Sequence, residues 1–121
     1  MCGRYTHLYT WAELRDLMRI TTDLSVPLNP RFNVAPTQSV PVVRAISGGG
    51  REVVAMRWGL IPSWAKDPSI GSRTINARSE SVATKPAFRS AFKARRCLVP
   101  TSGFYEWETP EGGGTVLDAD D

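Results

Sequence analysis

Val40-Pro41-Val42-Val43-Arg44-Ala45-Ile46 and Glu52-Val53-Val54-Ala55-Met56-Arg57-Trp58, separated by Ser47-Gly48-Gly49-Gly50-Arg51, are the stretch on which the fold turns. Both runs are rich in β-branched residues, and a glycine-dense turn joins them. The pattern predicts an antiparallel hairpin whose first strand Pro41 confines to a sheet edge. Just upstream, Arg31-Phe32-Asn33-Val34-Ala35-Pro36-Thr37-Gln38 contains Pro36, which forbids helix, and Asn33, which both donates and accepts hydrogen bonds. Asn33 either ties this segment to itself or faces a ligand. Thr21 to Pro30 carries two prolines and little pattern, and reads as a loop. Before it, Thr10-Trp11-Ala12-Glu13 has capping-box spacing, and Trp11, Leu14, Leu17 and Met18 recur on one helical face. A helix is predicted from Trp11 to Ile20.

Downstream of the hairpin, Trp58-Gly59-Leu60-Ile61-Pro62-Ser63-Trp64-Ala65 sets two tryptophans in a Pro/Gly loop followed by Lys66 and Arg73. Buried indole rings and a base-stacking platform beside a basic groove are equally open readings. Thr74-Ile75-Asn76-Ala77-Arg78-Ser79-Glu80 predicts a short strand with Asn76 and Arg78 on one face. Pro86 to Lys93 predicts a helix that turns Phe88, Ala91 and Phe92 inward. Arg96-Cys97-Leu98-Val99-Pro100 reads as a buried strand with Cys97 as a small core residue. In Phe104-Tyr105-Glu106-Trp107-Glu108, Glu106 stands between aromatic residues, and a carboxyl in apolar surroundings is suited to exchanging protons near neutral pH. A glutamate facing water from an edge strand is the alternative.

The 121 residues are enough for one small domain, and 41% hydrophobic with 22% charged residues fits a soluble globular chain. No apolar run approaches a membrane span, and Met1 to Ile20 lacks the apolar core of a secretory signal, so a cytoplasmic monomer is expected. The two cysteines, Cys2 and Cys97, are then expected reduced. One histidine, His7, and no paired-cysteine spacing argue against zinc, and no cofactor is expected. The net charge of +3 conceals an asymmetry: all 15 Lys and Arg precede residue 97, whereas six of the 12 acids follow Tyr105. Up to Tyr105 the balance is 15 minus 6, or +9, and arginine outnumbers lysine 12 to 3. Arginine-rich surface of this kind fits an anionic polymer, nucleic acid above all, the alternative being an ordinary solvated basic surface.

Met1-Cys2-Gly3-Arg4 offers a chemistry, the alternative being that a cysteine at position two has no function. Once Met1 is removed, Cys2 bears a thiol and a free amine on adjacent carbons. Reference values of about 7.7 to 8.0 for the amine and about 8.5 for the thiol leave part of each nucleophilic near neutral pH. An aldehyde is attacked by the amine to give an imine, and the neighbouring sulfur then closes a thiazolidine ring intramolecularly. Gly3 leaves the approach open, and Arg4 offers a fixed charge to a phosphate.

Met1-Cys2-Gly3-Arg4-Tyr5, Arg31-Phe32-Asn33-Val34-Ala35-Pro36-Thr37, Trp58-Gly59-Leu60-Ile61-Pro62, Asn76-Ala77-Arg78-Ser79-Glu80 and Gly103-Phe104-Tyr105-Glu106-Trp107 together resemble the SOS-response-associated peptidase family, the abasic-site processing proteins. The resemblance implies an α+β fold, a mixed, largely antiparallel sheet or partial barrel with a few short helices. It implies binding of single-stranded DNA at abasic sites, whose open sugar exposes an aldehyde that the N-terminal cysteine traps as a thiazolidine. Cys2 would then be the nucleophile, Asn76 would orient the amine and the forming ring, and Glu106 would transfer protons. Arg4 and Arg78 would meet backbone phosphates, Asn33 would line the DNA site, and the loop from Trp58 to Trp64 would wedge or stack on bases. Release of Met1 would account for the peptidase label, and a lyase activity through the imine is also implied. Neither a metal nor a membrane enters this chemistry.

The resemblance runs from Met1 to about Glu108, and the family continues for roughly another hundred residues, including a histidine in a His-x-Arg-Met-Pro-like motif that helps open the sugar. The expectation is therefore the N-terminal half of such a domain over 1–108, followed by a divergent, frayed acidic tail over 109–121. Two other readings stand beside it: an N-terminal-nucleophile hydrolase acting on peptides or amides, and a truncated inactive remnant.

Overall fold

The computed structural model describes residues 2–108 and 116–120 of the chain. The hairpin forms where the sequence predicts it, each strand ending one residue earlier than expected: β3 spans Ser39–Ala45 and β4 spans Arg51–Arg57. They pair antiparallel from Ser39↔Arg57 to Ala45↔Arg51. Gly48, Gly49 and Gly50 all take positive φ in the turn, a conformation in which glycine alone is at ease. Val40, Pro41, Val42 and Val43 are buried in succession, so β3 is covered on both faces.

That double burial organises the molecule. Strand alternation sends Val40 and Val42 to one face, where they pack with Tyr5 and Val34. Val43 and its partner Val53 go to the other, where they pack with Leu14 and Ile20. The hairpin is thus a middle layer. On one side lies the helix α1 (Trp11–Met18). On the other lies an antiparallel sheet built from β1 (Arg4–His7), β2 (Arg31–Val34), β5 (Gly103–Glu108) and β6 (Val116–Asp120), in the order β2-β1-β5-β6. Burying each valine side chain contributes about 1.5–3 kcal/mol. The fold is α+β with antiparallel pairing, and the two sheets remain separate, without closing into a barrel, among the described residues.

The capping box forms in full: Thr10 Oγ1 accepts from the Glu13 N–H and the Glu13 carboxylate accepts from the Thr10 N–H. These bonds hold the Glu13 carboxyl below its ordinary value of 4.5. The helix stops at Met18, because Arg19 turns left-handed with φ 55°, and Ile20 then drops into the core beyond the cap. Leu17, expected on the buried face, is 77% exposed.

Three expected elements differ. Residues 74–80 are not a strand: a 3-10 helix, Pro68–Arg73, runs into them, and they continue as coil and turn. Their backbone is bonded by side chains and loop atoms instead of a ladder. The second helix, α2, spans only Arg89–Ala94, because residues 79–88 wind through consecutive turns held by Val82 N–H to Arg78 O and Lys85 N–H to Ser81 O. Segment 96–100 makes a single bridge, Val43↔Leu98, and Cys97 is exposed, as are Leu98 and Val99. One strand of contact covers one side only, so Cys97 does not enter the core. Of the stretch expected to fray, 116–120 pair with β5 from Glu108↔Val116 to Phe104↔Asp120, where the edge of β5 offers unpaired backbone groups. The remainder, 109–115 and 121, lies outside the described residues.

Candidate functional site

The site is assembled at the N-terminal end of β1, an interior strand of its sheet. Val34 of β2 sits opposite Tyr5 on one side, and Phe104 of β5 sits opposite it on the other. Tyr5 points into the core and is 3% exposed, with Trp58 tilted against it at 5.4 Å between ring centroids. Cys2, half-buried, packs onto this same cluster beside Trp58 and Phe104. Its thiol points toward the Arg4 carbonyl at 3.6 Å.

Asn76 reaches this end of β1 from 74 residues away: its Nδ2 donates to the Cys2 carbonyl at 2.7 Å. The side chain arrives there because the preceding backbone is clamped. Trp58 Nε1 donates to the Ile75 carbonyl at 2.9 Å, Leu60 N–H to the Thr74 carbonyl, and the buried Thr74 hydroxyl to Leu60 O. Gly59, at φ 118°, lies against Gly71 so closely that a side chain at either position would meet the other's backbone. Trp58 itself continues the hairpin, with its N–H bonded to Gln38 O and its carbonyl to the Thr37 N–H. The chain of contacts thus runs from β4 through Trp58 to Asn76 and on to Cys2.

Glu106 belongs to β5, where Tyr105 stands opposite Arg4. Continuing that register places Glu106 level with Gly3, one residue from Cys2. Alternation puts it on the face of Phe104 and Tyr5, the side on which Cys2 packs. It is exposed, so the expected apolar enclosure is not formed. Tyr105 turns to the opposite face, where its hydroxyl donates to Phe32 O at 3.0 Å, and its ring therefore does not enclose the carboxyl.

The remaining sequence-predicted residues divide. Arg4 and Asn33 meet on the outer face of the sheet, the guanidinium donating to Oδ1 at 3.0 Å, and both are exposed. Of the two tryptophans, Trp58 is committed to packing and to Ile75, whereas Trp64 is 59% exposed. A platform of both rings is not formed. Arg78 is exposed two residues beyond Asn76, its carbonyl accepting from the Ser81 and Val82 N–H groups. The sequence reading missed Gly59, Gly71 and Thr74 as supports of Asn76. A glycine directly after a tryptophan and a threonine two residues before the asparagine were the available signals.

Two buried polar groups on β1 have no partner among the described residues, the Tyr5 hydroxyl and His7 Nε2. Burial pushes the Tyr5 phenol up to about 12, against the pull of Arg31 and with a further push from the Cys2 thiol. Burial, aided by Arg31, holds His7 below its ordinary 6.5, and the ring stacks on Tyr9 at 5.3 Å. His7 is 2% exposed.

The SOS response associated peptidase (SRAP) model matches residues 1–116, and the chain belongs to that family. It is 39% identical over 112 residues to the abasic site processing protein YoqW of Bacillus subtilis (strain 168), a match covering 89% of this chain and 48% of that protein. It is 38% identical over 94 residues to the abasic site processing protein HMCES of Mus musculus, covering 69% of this chain and 27% of that one. An X-ray structure of a protein from Bacteroides thetaiotaomicron superposes with a TM-score of 0.77 at 24% identity, over 96% of this chain and 52% of the other, a likeness of fold. The chain spans about half the length of the Bacillus relative it matches.

Proposed function

We propose that this protein processes abasic sites in single-stranded DNA by forming a thiazolidine between Cys2, freed of Met1, and the aldehyde of the ring-opened sugar. The observation that supports it above the others is the Asn76–Cys2 hydrogen bond, which fixes the residue-2 carbonyl and so positions the amine and thiol of the same residue. The amine adds to the aldehyde carbon to give a carbinolamine. Glu106 hands a proton to its hydroxyl, which leaves as water, and the imine forms. The sulfur then attacks the imine carbon, the thiol proton passes to nitrogen, and the ring closes with the net loss of one water. Hydrolysis of the Met1–Cys2 bond uses the same three residues: the thiolate attacks the Met1 carbonyl, the C–N bond breaks as the departing amine takes a proton, and water then cleaves the resulting thioester to release methionine and restore the thiol. Strand cleavage from the imine is the lyase branch. Arg4, Arg78, Asn33 and the exposed Trp64 hold the DNA on either side.

The test is intact-mass measurement of the purified protein, alone and after incubation with single-stranded DNA carrying one abasic site. Loss of Met1 and a species equal to protein plus DNA strand less one water are expected, and Cys2→Ala should abolish the second. A folded, Met1-free protein that gives no such species overturns the reading. Peptide turnover without any aldehyde requirement would favour the N-terminal hydrolase instead.

A further inference from the structure

Residues 78–96 hold six cations (Arg78, Lys85, Arg89, Lys93, Arg95, Arg96) and one acid, Glu80. Three of them converge. Arg89 and Lys93 lie one turn apart on α2, and with Arg96 they line a single open groove of about 690 Å³ whose far wall includes Ala83. Arg96 is held in place: its guanidinium lies 3.7 Å over the Phe92 ring and its Nε donates to Phe92 O at 2.6 Å. The terminal nitrogens remain to face the groove. Among the described residues the ion pairs are Arg15–Asp16 and Arg44–Glu52, and neither involves these cations. Glu52 lines the neighbouring cleft with Arg96, but it is taken up by Arg44 at 2.8 Å. Three like charges along one wall repel one another, and a partner carrying negative charge in series relieves that repulsion.

Resting on the function proposed above, we infer that this groove carries the backbone of the single-stranded DNA that flanks the abasic nucleotide. Continuity argues for that occupant. Ala83 is seven residues from Asn76, so at full extension the wall lies within about 25 Å of the site, and Arg78, on the turn between them, is exposed. Phe92 is covered by Arg96 and only half-buried, so the groove offers guanidinium and ammonium groups without a free aromatic face. It reads phosphates and not bases, and its contribution to binding is independent of sequence.

The experiment is the salt dependence of binding, by fluorescence anisotropy, to single-stranded oligonucleotides carrying one abasic site, with Cys2→Ala as the common background. The flank lies on the 5′ side in one set and on the 3′ side in the other. Neutralising n phosphate contacts on a single strand changes the slope of log K against log salt by about 0.7n. Arg89→Gln/Lys93→Gln/Arg96→Gln should therefore lower the magnitude of the slope by about 2, on one flank only, and Arg89→Gln/Lys93→Gln, which leaves the Phe92 stack intact, by about 1.4. With Cys2 restored, adduct yield at saturating DNA should be unchanged in both. Should the triple variant not fold, the double variant decides. An unchanged slope in a folded variant, with a Cys2 parent that still forms the adduct, overturns the groove alone. A parent that neither binds nor cross-links abasic DNA overturns the groove and the abasic-site reading together.

Discussion

Asn76→Ala removes the only side-chain hydrogen bond that reaches Cys2 from elsewhere in the chain among the described residues. A net contribution of about 0.5–1.5 kcal/mol is expected of such a bond, and for a domain of this size about 4 °C of melting temperature per kcal/mol. The loop itself should stay in place, because Ile75 and Thr74 are held by Trp58 and Leu60 independently of the Asn76 side chain. Loss of orientation is the larger effect. A displacement of about 1 Å at a reacting group can slow it about 100-fold, so adduct formation should fall by about 10- to 100-fold while the protein stays folded. The assay is a single-turnover time course with abasic single-stranded DNA, read by intact mass, beside a thermal melt. Asn76→Asp keeps the size but replaces the donor by a carboxylate facing a carbonyl oxygen, and should be at least as slow as the alanine variant. A folded Asn76→Ala protein that reacts at the parent rate refutes the reasoning, as does an Asp variant that restores it.

Three further outcomes follow from the packing around β1. Gly59→Ala sets a side chain at φ 118° against the Gly71 backbone and should cost roughly 1–3 kcal/mol in strain alone, with slower adduct formation because Thr74 and Asn76 shift; an unchanged melt would contradict the close approach. His7 is held neutral by burial, so the unfolded chain binds the extra proton below about 6.5. Stability should therefore fall as pH drops beneath that value, by at most about 1.4 kcal/mol per pH unit. His7→Phe should remove that share of the slope in denaturant titrations across pH 5 to 7, and an identical slope in the variant would refute the assignment. Tyr5→Phe deletes a buried hydroxyl without a partner and should leave stability unchanged or raise it by about 1 kcal/mol; a marked loss would mean that a bridging group satisfies the hydroxyl.

Where local chemistry sets the structure, the sequence was legible. The glycine turn between two β-branched runs and the Thr10–Glu13 capping box both formed, because every atom involved lies within a few residues. Residues 74–80 misled because Thr-Ile-Asn has the propensity of a strand, while the backbone partners that compete for it belong to Trp58 and Leu60, which no period reveals. Cys97 misled for the opposite reason: an apolar run shows that burial would be favourable, not whether a second layer is there to cover it. For the site, the family resemblance, not any period or spacing, set Asn76 beside Cys2, and the two share a hydrogen bond; the pairing of Arg4 with Asn33 was not foreseen. Glu106 is open to water, the alternative that the sequence left standing.

An N-terminus frays unless something ties it down, and the ties on this one are unequal. Tyr5 is anchored by pairing on both sides and by a fully packed ring. Arg4 is held on one side by Tyr105 and on the other by the Asn33 side chain. Residue 2 lies beyond the strand, and its described hold is the Cys2 side chain against the cluster of Tyr5, Val34, Val40 and Val42 together with one bond to its carbonyl from Asn76. Trp58 packs on the same cluster as Cys2, and its indole N–H fixes the segment that delivers Asn76. The sheet therefore brings the terminus near, and the amide sets its direction. On the proposed chemistry this division is useful, since the amine must move from the aldehyde adduct into the ring while the carbonyl behind it stays fixed.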